Sequence, residues 1–588
     1  MHDLQALLSL PQAWPLGFSA DGSTLLVASD RPGTRQLFSL SLASGGLEQL
    51  TDLPEPVDGR LLPDGRVLLE VDEGGNERTQ LYLLEPGREP EPLVVDPRFN
   101  HWTPAVSRDG SLLAYATNRG NGRDFEVVVR RLESGQEQTF ELRGYLGVHG
   151  FSPDGRRLVV ERLTERAGDS DLFLLDVESG EVVHATPHAG EAEYMTPSWL
   201  PDSSGLLTAT NAFGDARSLA RYDLGTGAWA FVFESKWDLE CAIDDAGRSL
   251  LVVANEDGWS RVELRDPGTL ALRGEVPLPG RGLVAHAVFS RDGSQLALAF
   301  SSAREPLQTH VYDLDSGELR RLSGDGPVDG VDPELHRFES FDGEEIPVFL
   351  FEPEGDGPFP VVVTVHGGPE SQWLPYFSQG FGPFTQFLVS RGYAVAAPNV
   401  RGSTGYGKRY EHLDDVELRL DSVRDLAELH AWLSSRPTID ASRAVVYGRS
   451  YGGYMTLAAL AFQPELWAAG ISFVGISNLV TFLENTSDYR RAAREREYGS
   501  LARDRDVLER ISPASRIDDI RAPLFLEHGR NDPRVPVGES EYIHRVLTEK
   551  GIRCELVVYE DEGHLIEKVG NRVDAFERAV AFLDEVLP

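Results

Sequence analysis

The stretch AVVYGRSYGGYMT, residues 444–456, runs from three strand-forming residues into a helical pattern through a single serine, Ser450. Glycine stands two positions before this serine and two positions after it. In an α/β sheet, a sharp turn from strand to helix lifts such a serine above the sheet edge, and Gly448 and Gly452 let the backbones pass closely. G-x-S-x-G alone is a common pattern, but its place between strand and helix predicts a nucleophile elbow with Ser450 as the nucleophile.

The sequence on both sides of this stretch alternates between two kinds of segment. Apolar runs such as PVVVTVHG, YAVAAPN, APLFLEHG and CELVVYE are separated by amphipathic patterns such as DLAELHAWLSS. Continuous apolar strands alternating with helices are typical of a mostly parallel sheet covered on both faces. Residues 331–588 are therefore predicted to form an α/β-hydrolase domain with a doubly wound sheet.

The first half of the chain repeats one phrase. It appears as FSADG, LLPDG, VSRDG, FSPDG, WLPDSSG, IDDAG and FSRDG, with successive copies about 45 residues apart, a spacing typical of propeller blades. Each copy precedes β-rich runs with Asp-Gly or Ser-Gly turns, which favour hairpins. We predict a seven-bladed β-propeller over residues 16–326, since separate β-sandwiches would not repeat one phrase at one period. Residues 1–15 are expected to form an N-terminal extension packed on the hydrolase domain.

Composition and charge narrow the class of protein. The 588 residues are 41% hydrophobic and 26% charged, which is ordinary for a globular chain of more than one domain. The net charge of −38 disfavours nucleic acid as a partner. Cys241 and Cys554 show neither disulfide nor zinc spacing, so no metal is expected. The N-terminus lacks a basic leader and no long apolar run occurs, so we expect a cytoplasmic protein without a membrane anchor.

A serine nucleophile requires a base, and the base requires an orienting acid. In this fold the acid and the histidine follow the serine in that order. Asp532 comes after the predicted strand APLFLEHG, and His564 comes after CELVVYE. Both lie where catalytic groups sit in open α/β sheets, at the carboxyl ends of strands. We predict that Ser450, Asp532 and His564 form the triad.

Other acids and histidines compete for these roles. The alternative orienting acids are Glu527, Asp561 and Glu562, and the other histidines of this domain include His430, His528 and His544. Asp561 is too near His564 in sequence to approach the far side of its ring easily. His528 falls within a strand, which favours a packed or hydrogen-bonded histidine.

The tetrahedral intermediate requires two donors directed at its oxyanion. The backbone N–H that follows the nucleophile, that of Tyr451, is one of them. The segment HGGP, residues 366–369, ends an earlier strand and supplies glycine amides for the other. A simple tight turn is the alternative interpretation of HGGP, and its place upstream of the elbow favours the oxyanion role.

A seven-bladed propeller followed by a hydrolase domain with GRSYGGY, HGGPES, NVRGSTGYG, RNDPRVP and DEGH resembles the prolyl oligopeptidase family of serine peptidases. HGGP with RGSTGYG looks most like the acylaminoacyl-peptidase branch. The resemblance covers essentially the whole chain. It implies a cofactor-independent peptidase of short peptides whose propeller covers the site and excludes folded proteins.

The resemblance also implies residue roles. Tyr451 and Gly368 take the oxyanion positions, and Arg534 resembles the family arginine that binds a substrate carbonyl. Val535, which follows Arg534, is also expected to bind the substrate. The segment FVGISNLVTFLENT corresponds to the wall of the pocket for the residue before the scissile bond, so Phe482 and Leu479 would make that pocket apolar, unless they are plain core.

Several features leave the subtype open. Arg449 stands where relatives often have glycine, which adds a cation beside the nucleophile. The run YRRAAREREYGSLARDRD favours a solvated helix with i,i+4 ion pairs. Alternatively, some of its arginines face the cavity and bind a peptide C-terminus, as in a carboxypeptidase; the candidates are Arg490, Arg491, Arg494 and Arg496 of the run, together with Arg449. No glutamate pair that would grip a free α-amine is evident in the propeller, which weakens a dipeptidyl-peptidase reading. An esterase and a non-catalytic scaffold are the remaining alternatives, and a homo-oligomer is plausible.

Overall fold

The computed structural model describes residues 2–377 and 380–587. Its first 27 strands form seven blades of four antiparallel strands. The first three blades contain β1 (Ala13–Phe18), β2 (Thr24–Ser29), β3 (Gln36–Ser41), β4 (Leu47–Gln49); β5 (Val57–Leu61), β6 (Val67–Val71), β7 (Gln80–Leu84), β8 (Glu91–Val94); β9 (His101–Val106), β10 (Leu112–Thr117), β11 (Phe125–Arg131) and β12 (Glu137–Phe151).

The long strand β12 serves two blades, because its first half pairs with β11 and its second half with β13. The remaining propeller strands are β13 (Arg157–Leu163), β14 (Ser170–Asp176), β15 (Val182–His184); β16 (Tyr194–Trp199), β17 (Gly205–Thr210), β18 (Ser218–Asp223), β19 (Ala228–Phe233); β20 (Leu239–Ile243), β21 (Leu250–Glu256), β22 (Trp259–Arg265), β23 (Leu272–Glu275); β24 (Leu283–Phe289), β25 (Gln295–Ser302), β26 (Glu305–Asp313) and β27 (Leu319–Arg321).

The repeated phrase forms the turn between the first two strands of a blade. In the first blade Gly22 has a φ of 69°, a conformation that glycine adopts without cost, and its N–H donates to the carbonyl of Ser19 at 2.9 Å. The carboxylate of Asp21 accepts the Ser23 N–H at 3.1 Å. These contacts explain why aspartate and glycine recur together in the phrase.

The hydrolase domain is built on one eight-stranded sheet in the order β28-β29-β31-β30-β32-β33-β34-β35. The first two strands are antiparallel to their neighbours, and the strands from β31 onward in that order are parallel. The strands are β28 (Glu334–Glu339), β29 (Glu345–Phe351), β30 (Phe359–Val365), β31 (Ala394–Pro398), β32 (Ile439–Arg449), β33 (Ala469–Phe473), β34 (Leu524–Gly529) and β35 (Cys554–Tyr559).

Helices cover both faces of this sheet, which confirms the predicted fold class of a seven-bladed β-propeller joined to an α/β-hydrolase domain. The α-helices are α1 (Leu4–Leu8), α2 (Phe381–Ser390), α3 (Lys408–Glu411), α4 (Arg419–Ser434), α5 (Tyr451–Phe462), α6 (Leu479–Asn485), α7 (Asp488–Tyr498), α8 (Arg505–Ile511), α9 (Gly538–Glu549) and α10 (Val569–Val586). Short 3₁₀ helices span His412–Asp414, Val416–Leu418 and Pro513–Asp519.

The two faces of the sheet have separate hydrophobic cores. One core, here called the α5 face, joins residues of α4, α5 and α6 to alternate strand residues such as Val446. The other, the α10 face, joins α2 and α10 to strand residues such as Val445 and Tyr447. The leucines of α1 also pack on the α10 face, so the N-terminal segment contacts the hydrolase domain. The first strand begins at Ala13, ahead of the predicted boundary at residue 16.

Candidate active site

The turn at Ser450 has the geometry of a nucleophile elbow. Strand β32 ends at Arg449 and α5 begins at Tyr451, with Ser450 between them at φ 59° and ψ −118°. A positive φ is uncommon for a residue with a side chain and marks backbone strain at a turn. A Cβ atom at position 448 would lie 2.3 Å from the Gly452 carbonyl oxygen, and one at position 452 would lie 2.1 Å from that of Val365. Both glycines are therefore required by close backbone approach.

Asp532 and His564 meet at the carboxyl end of the sheet. His564 Nδ1 lies 2.7 Å from Asp532 Oδ2, and the His564 side chain is only 4% exposed. The other carboxylate oxygen of Asp532 accepts the backbone N–H groups of Arg534 at 2.8 Å and Val535 at 3.0 Å. With Nδ1 donating to the carboxylate, Nε2 is left as the proton acceptor.

The charge states of this pair suit base catalysis. Burial acts to raise the pKa of Asp532, but the charge of His564 and hydrogen bonds from His528 and His564 outweigh it and lower that pKa. Burial lowers the pKa of His564 below its ordinary value, and Asp532 opposes this only in part. At neutral pH the aspartate is therefore ionised and the histidine neutral, so His564 can accept a proton.

A second histidine, His528, lies beside Asp532. Its Nε2 lies 3.6 Å from Asp532 Oδ2 and 2.8 Å from the Val535 carbonyl oxygen, while Nδ1 lies 2.8 Å from Ser540 Oγ. The ring is fully buried and held on both nitrogens, which matches the interpretation of His528 as a hydrogen-bonded histidine within a strand. Glu527, Asp561 and Glu562 make no contact with the His564 ring among the described residues.

A cavity of about 430 Å³ contains Ser450 and His564. One side of it is aromatic and apolar, and several cationic side chains reach it. The lining residues are His366, Gly367, Gly368, Glu370, Ser371, Gln372, Trp373, Leu374, Tyr376, Phe381, Arg449, Ser450, Arg494, Arg534, His564 and Leu565. The aromatic members of this wall were not anticipated from the sequence.

The HGGP segment and the start of α5 flank Ser450. A Cβ atom at position 367 would lie 3.5 Å from the Cβ of Ser450, so the Gly367–Gly368 backbone runs directly past the serine. The His366 ring is not available to substrate, because it bonds to Ser403 Oγ at 2.8 Å and to the Gly367 carbonyl oxygen at 2.7 Å. The Tyr451 N–H belongs to the first turn of α5, where amides have no partner within the helix.

The two residues predicted to form an apolar pocket wall, and Val535, which was predicted to bind substrate, do not line the cavity. Phe482 and Leu479 are fully buried in the core of the α5 face and do not line the cavity. Val535 is 2% exposed and packs in the same core. Helix α6 turns its apolar side into the core of the α5 face, and the open apolar wall comes instead from Trp373, Leu374, Tyr376, Phe381 and Leu565.

The candidate arginines divide into four groups. Arg490 and Arg534 both bind Glu77 of the propeller, the latter through Nε at 2.5 Å. Arg496 lies 3.6 Å from Glu370. Arg491 turns away from the cavity to the Leu483 carbonyl and Asp488. Only Arg449 and Arg494 line the cavity without an ion-pair partner within the described residues, and they are the candidates for an anionic ligand.

A propeller loop that the sequence analysis missed contacts both triad loops. This loop, residues 72–79, joins β6 to β7. A Cβ atom at position 75 would lie 2.4 Å from the Gly563 nitrogen, beside His564, and Asn531 Nδ2 donates to the Gly74 carbonyl at 3.0 Å, beside Asp532. The two adjacent glycines and Glu77 in EGGNE were the available signal, since a paired glycine marks close backbone approach.

A metal site and a membrane-spanning helix are the remaining features to consider. Among residues 2–377 and 380–587, no set of three or more His, Cys, Asp or Glu side chains is arranged to hold a metal ion. Nor does any helix in those ranges combine the length and hydrophobicity needed to cross a bilayer.

The geometry defines the class of protein first: a propeller and an α/β-hydrolase domain enclosing a serine elbow beside an aspartate–histidine pair make a two-domain serine hydrolase. The model of the prolyl oligopeptidase family matches residues 380–588, and that of its N-terminal β-propeller domain matches residues 64–324. The chain belongs to the prolyl oligopeptidase family and is a serine-type peptidase.

Similar proteins support this assignment. Dipeptidyl aminopeptidase BIII of Pseudoxanthomonas mexicana is 28% identical over 547 residues, covering 85% of this chain and 76% of that protein. The crystal structure of puromycin hydrolase superposes with a TM-score of 0.86 at 22% identity, covering 99% of this chain and 96% of that one. Acylaminoacyl peptidase of Pyrococcus horikoshii superposes with a TM-score of 0.73 at 18% identity, with full coverage of both chains.

Proposed function

We propose that this protein hydrolyses short peptides through an acyl-enzyme on Ser450, as an oligopeptidase of the acylaminoacyl-peptidase type. The observation that carries the proposal is the 2.7 Å contact between Asp532 and His564 in the same cavity as the strained serine. Nucleophile, base and orienting acid are the three parts that acyl transfer requires. No cofactor or metal enters the reaction.

The reaction proceeds in two halves. His564 Nε2 takes the proton of Ser450 Oγ as that oxygen attacks the scissile carbonyl carbon, and the oxyanion accepts the N–H groups of Tyr451 and Gly368. The C–N bond breaks, and His564 gives its proton to the leaving nitrogen. Water then attacks the ester with His564 again as base, which releases the acyl product and restores Ser450.

The propeller limits what reaches the serine. The loop of residues 72–79 lies against the loops that carry Asp532 and His564, so the site lies between the domains. Extended short peptides fit a cavity of about 430 Å³, whereas folded proteins do not. Similar proteins are named dipeptidyl aminopeptidase, puromycin hydrolase and acylaminoacyl peptidase, and these names support a small peptide or peptide-like substrate here.

A carboxypeptidase is the second candidate function. Arg449 and Arg494 line the cavity and form no ion pair within 4 Å among the described residues, although the chain carries a net charge of −38. Guanidinium groups bind carboxylates through two parallel hydrogen bonds. Cations exposed to the substrate cavity of an acidic protein favour a peptide with a free C-terminal carboxylate.

The surroundings of the enzyme complete the proposal. We propose a cytoplasmic protein that binds neither nucleic acid nor membrane and acts on free peptides, with homo-oligomers as a further restriction on access. The strongly negative charge supports the exclusion of nucleic acid, because phosphates would be repelled over most of the surface.

The test is a cleavage map by mass spectrometry of one peptide in free, N-acetylated and C-amidated forms. Ser450→Ala is expected to lose nearly all turnover, roughly 10⁴-fold or more, on every form. Preference for the acetylated form, with release of the acetyl-amino acid, supports the acylaminoacyl type, and loss of cleavage on amidation supports the carboxypeptidase. Full activity of Ser450→Ala would contradict acyl transfer through Ser450.

A further inference from the structure

Arg449 is a buried cation without an anion. The residue precedes Ser450, lines the same cavity and is 7% exposed. Its Nη2 has no hydrogen-bond partner, and its side chain forms no ion pair within residues 2–377 and 380–587. The guanidinium lies over the ring of Phe381, 5.3 Å from the centroid. A buried charge without a partner is costly, so this position favours a bound anion.

Glu527 is a buried carboxyl group whose charge interacts with Arg449, but no hydrogen bond or ion pair joins the two side chains. Arg449, Phe473 and Glu527 are aligned on three neighbouring parallel strands, so their side chains point to the same face of the sheet with the Phe473 ring in between. Glu527 is 1% exposed, and neither of its carboxylate oxygens has a hydrogen-bond partner. The positive charge of the Arg449 guanidinium therefore remains available to bind an anionic ligand.

Arg449 ends β32 and Arg494 belongs to α7, and both line the cavity that contains Ser450. Tyr447, two residues before Arg449, and Phe473 pack on the α10 face. Arg494 belongs to α7, whose Tyr498 packs on the α5 face, and Arg534 adjoins Val535 on that same face. A peptide bound at Ser450 therefore lies in a cavity with cations from two different elements.

The position of His564 identifies the side of the leaving group. The histidine protonates the leaving nitrogen, so the leaving group departs on its side of Ser450. The chain after His564 continues through Ile566, which packs on the α10 face, into α10. Arg449 lies on this face as well, because Tyr447, two residues before it on the same strand, packs there.

We propose that Arg449 binds the α-carboxylate of a single-residue leaving group, so that the enzyme releases amino acids one at a time from peptide C-termini. The inference rests on the proposed acyl transfer through Ser450 and, of the two candidate functions, specifies the carboxypeptidase. The C–N bond of the last residue breaks, His564 transfers the serine proton to that nitrogen, and the amino acid leaves with its carboxylate on Arg449. Water then hydrolyses the ester on Ser450.

Glu527 acts as a positioning residue in this scheme. When Glu527 is ionised, its negative charge offsets the positive charge of Arg449. When Glu527 is protonated, the charge of Arg449 is free to attract a substrate carboxylate. Burial raises the pKa of Glu527 to about 7, and Arg449 opposes this shift. The titratable or charged groups around it are Arg449, His528, Asp532, Glu562, Tyr447 and Tyr559. The binding of a substrate carboxylate is therefore expected to strengthen as the pH falls from 8 to 6.

The experiment compares an N-acetylated tetrapeptide that has a free C-terminal carboxylate with the same peptide as its amide. The readout is the ratio of the two kcat/KM values, with products identified by mass spectrometry. Wild type is expected to prefer the free acid and to release one residue. Arg449→Gln is expected to lower the ratio about 10- to 100-fold, the range for a lost charge-assisted hydrogen bond, and Arg449→Lys to lower it less.

Matched variants keep the test decisive. Arg491→Gln, from the arginine run but turned away from the cavity, is expected to leave the ratio unchanged. Labelling of Ser450 with a fluorophosphonate verifies a folded site in each variant. An unchanged ratio in Arg449→Gln, a loss confined to Arg494→Gln, or a wild-type preference for the amide overturns the assignment of Arg449.

A second measurement follows the ratio from pH 8 to pH 6. Protonation of His564 affects both substrates equally and cancels in the ratio, so the expected rise reports Arg449 and Glu527. Glu527→Gln is expected to flatten it, and an equal slope in that variant overturns the role of Glu527. Failure of the proposed function would give a different result from failure of the Arg449 assignment. If acyl transfer through Ser450 were wrong, Ser450→Ala would still cleave both peptides, whatever the ratio in the arginine variants.

Discussion

Strand β34 carries the buried carboxyl group of Glu527, and the loop that follows it carries that of Asp532. The two groups differ in their hydrogen bonding. Asp532, 8% exposed, accepts hydrogen bonds on both oxygens and contacts His564 at 2.7 Å. Glu527, 1% exposed, has a partner on neither oxygen. The pKa of Asp532 is lowered, while burial raises that of Glu527 to about 7. Partners, and not burial, decide which of the two carries charge at neutral pH.

The comparison also separates two kinds of role. A carboxylate that holds a histidine must stay ionised through the reaction, and Asp532 has the partners to do so. A carboxyl group that titrates near neutral pH can modulate a neighbour, and Glu527 stands on the same face as Arg449. Both acids were candidates for the triad, and their places at the strand end and within the strand distinguish them.

The largest expected effect comes from Asp532→Asn. The amide removes the charge that stabilises the imidazolium and favours the wrong tautomer of His564, so kcat/KM should fall roughly 10⁴-fold. Peptide hydrolysis measures it, and an unchanged melting temperature excludes loss of the fold. Asp561→Asn is the matched control, because Asp561 bonds to Lys568 and Asn571 at the surface. Loss of activity in the control alone would move the orienting role to Asp561.

The fold and the catalytic candidates were predictable because their signals are local. A Cβ atom added at either elbow glycine would lie 2.3 or 2.1 Å from a carbonyl oxygen, which leaves no room for a side chain, and the repeated Asp-Gly phrase reflects a turn that needs positive φ. Asp532 and His564 follow apolar runs, and the carboxyl ends of parallel strands meet at one edge. Each signal is visible within a short window of sequence.

The wall of the cavity was not predictable in this way. Phe482 and Leu479 have the spacing of an apolar helix face, which serves a core and a pocket equally well, and the fold places them in the core. Glu77 comes from a blade far away in sequence, and its contacts with Arg490 and Arg534 depend on how the two domains meet. Long-range docking of loops has no periodic signature in the sequence.

A second prediction tests whether the contact between Asp532 and His564 depends on the propeller. Gly75→Ala introduces a Cβ atom 2.4 Å from the Gly563 nitrogen, which must displace the loop that carries His564. We expect kcat/KM to fall about tenfold, in line with small misplacements of catalytic groups. Gly87→Ala is the control, because Gly87 has the same φ of 75° and open space around it. Equal losses in the two variants would attribute the effect to backbone strain alone.

The smallest expected effect is on stability, and it isolates Glu527. A carboxyl group whose pKa is raised from 4.5 to about 7 holds its proton in the folded state while the unfolded chain loses it. Stability therefore falls as the pH rises from about 4.5 to 7, by on the order of 3 kcal/mol at 1.36 kcal/mol per pKa unit. Glu527→Gln cannot titrate, so its melting temperature should fall less between pH 5 and pH 8 than that of wild type. Glu549→Gln, at an exposed site on α9, should follow wild type. A wild-type slope in Glu527→Gln would mean that water or a shift of Arg449 satisfies the carboxylate, and the contrast with Asp532 would disappear.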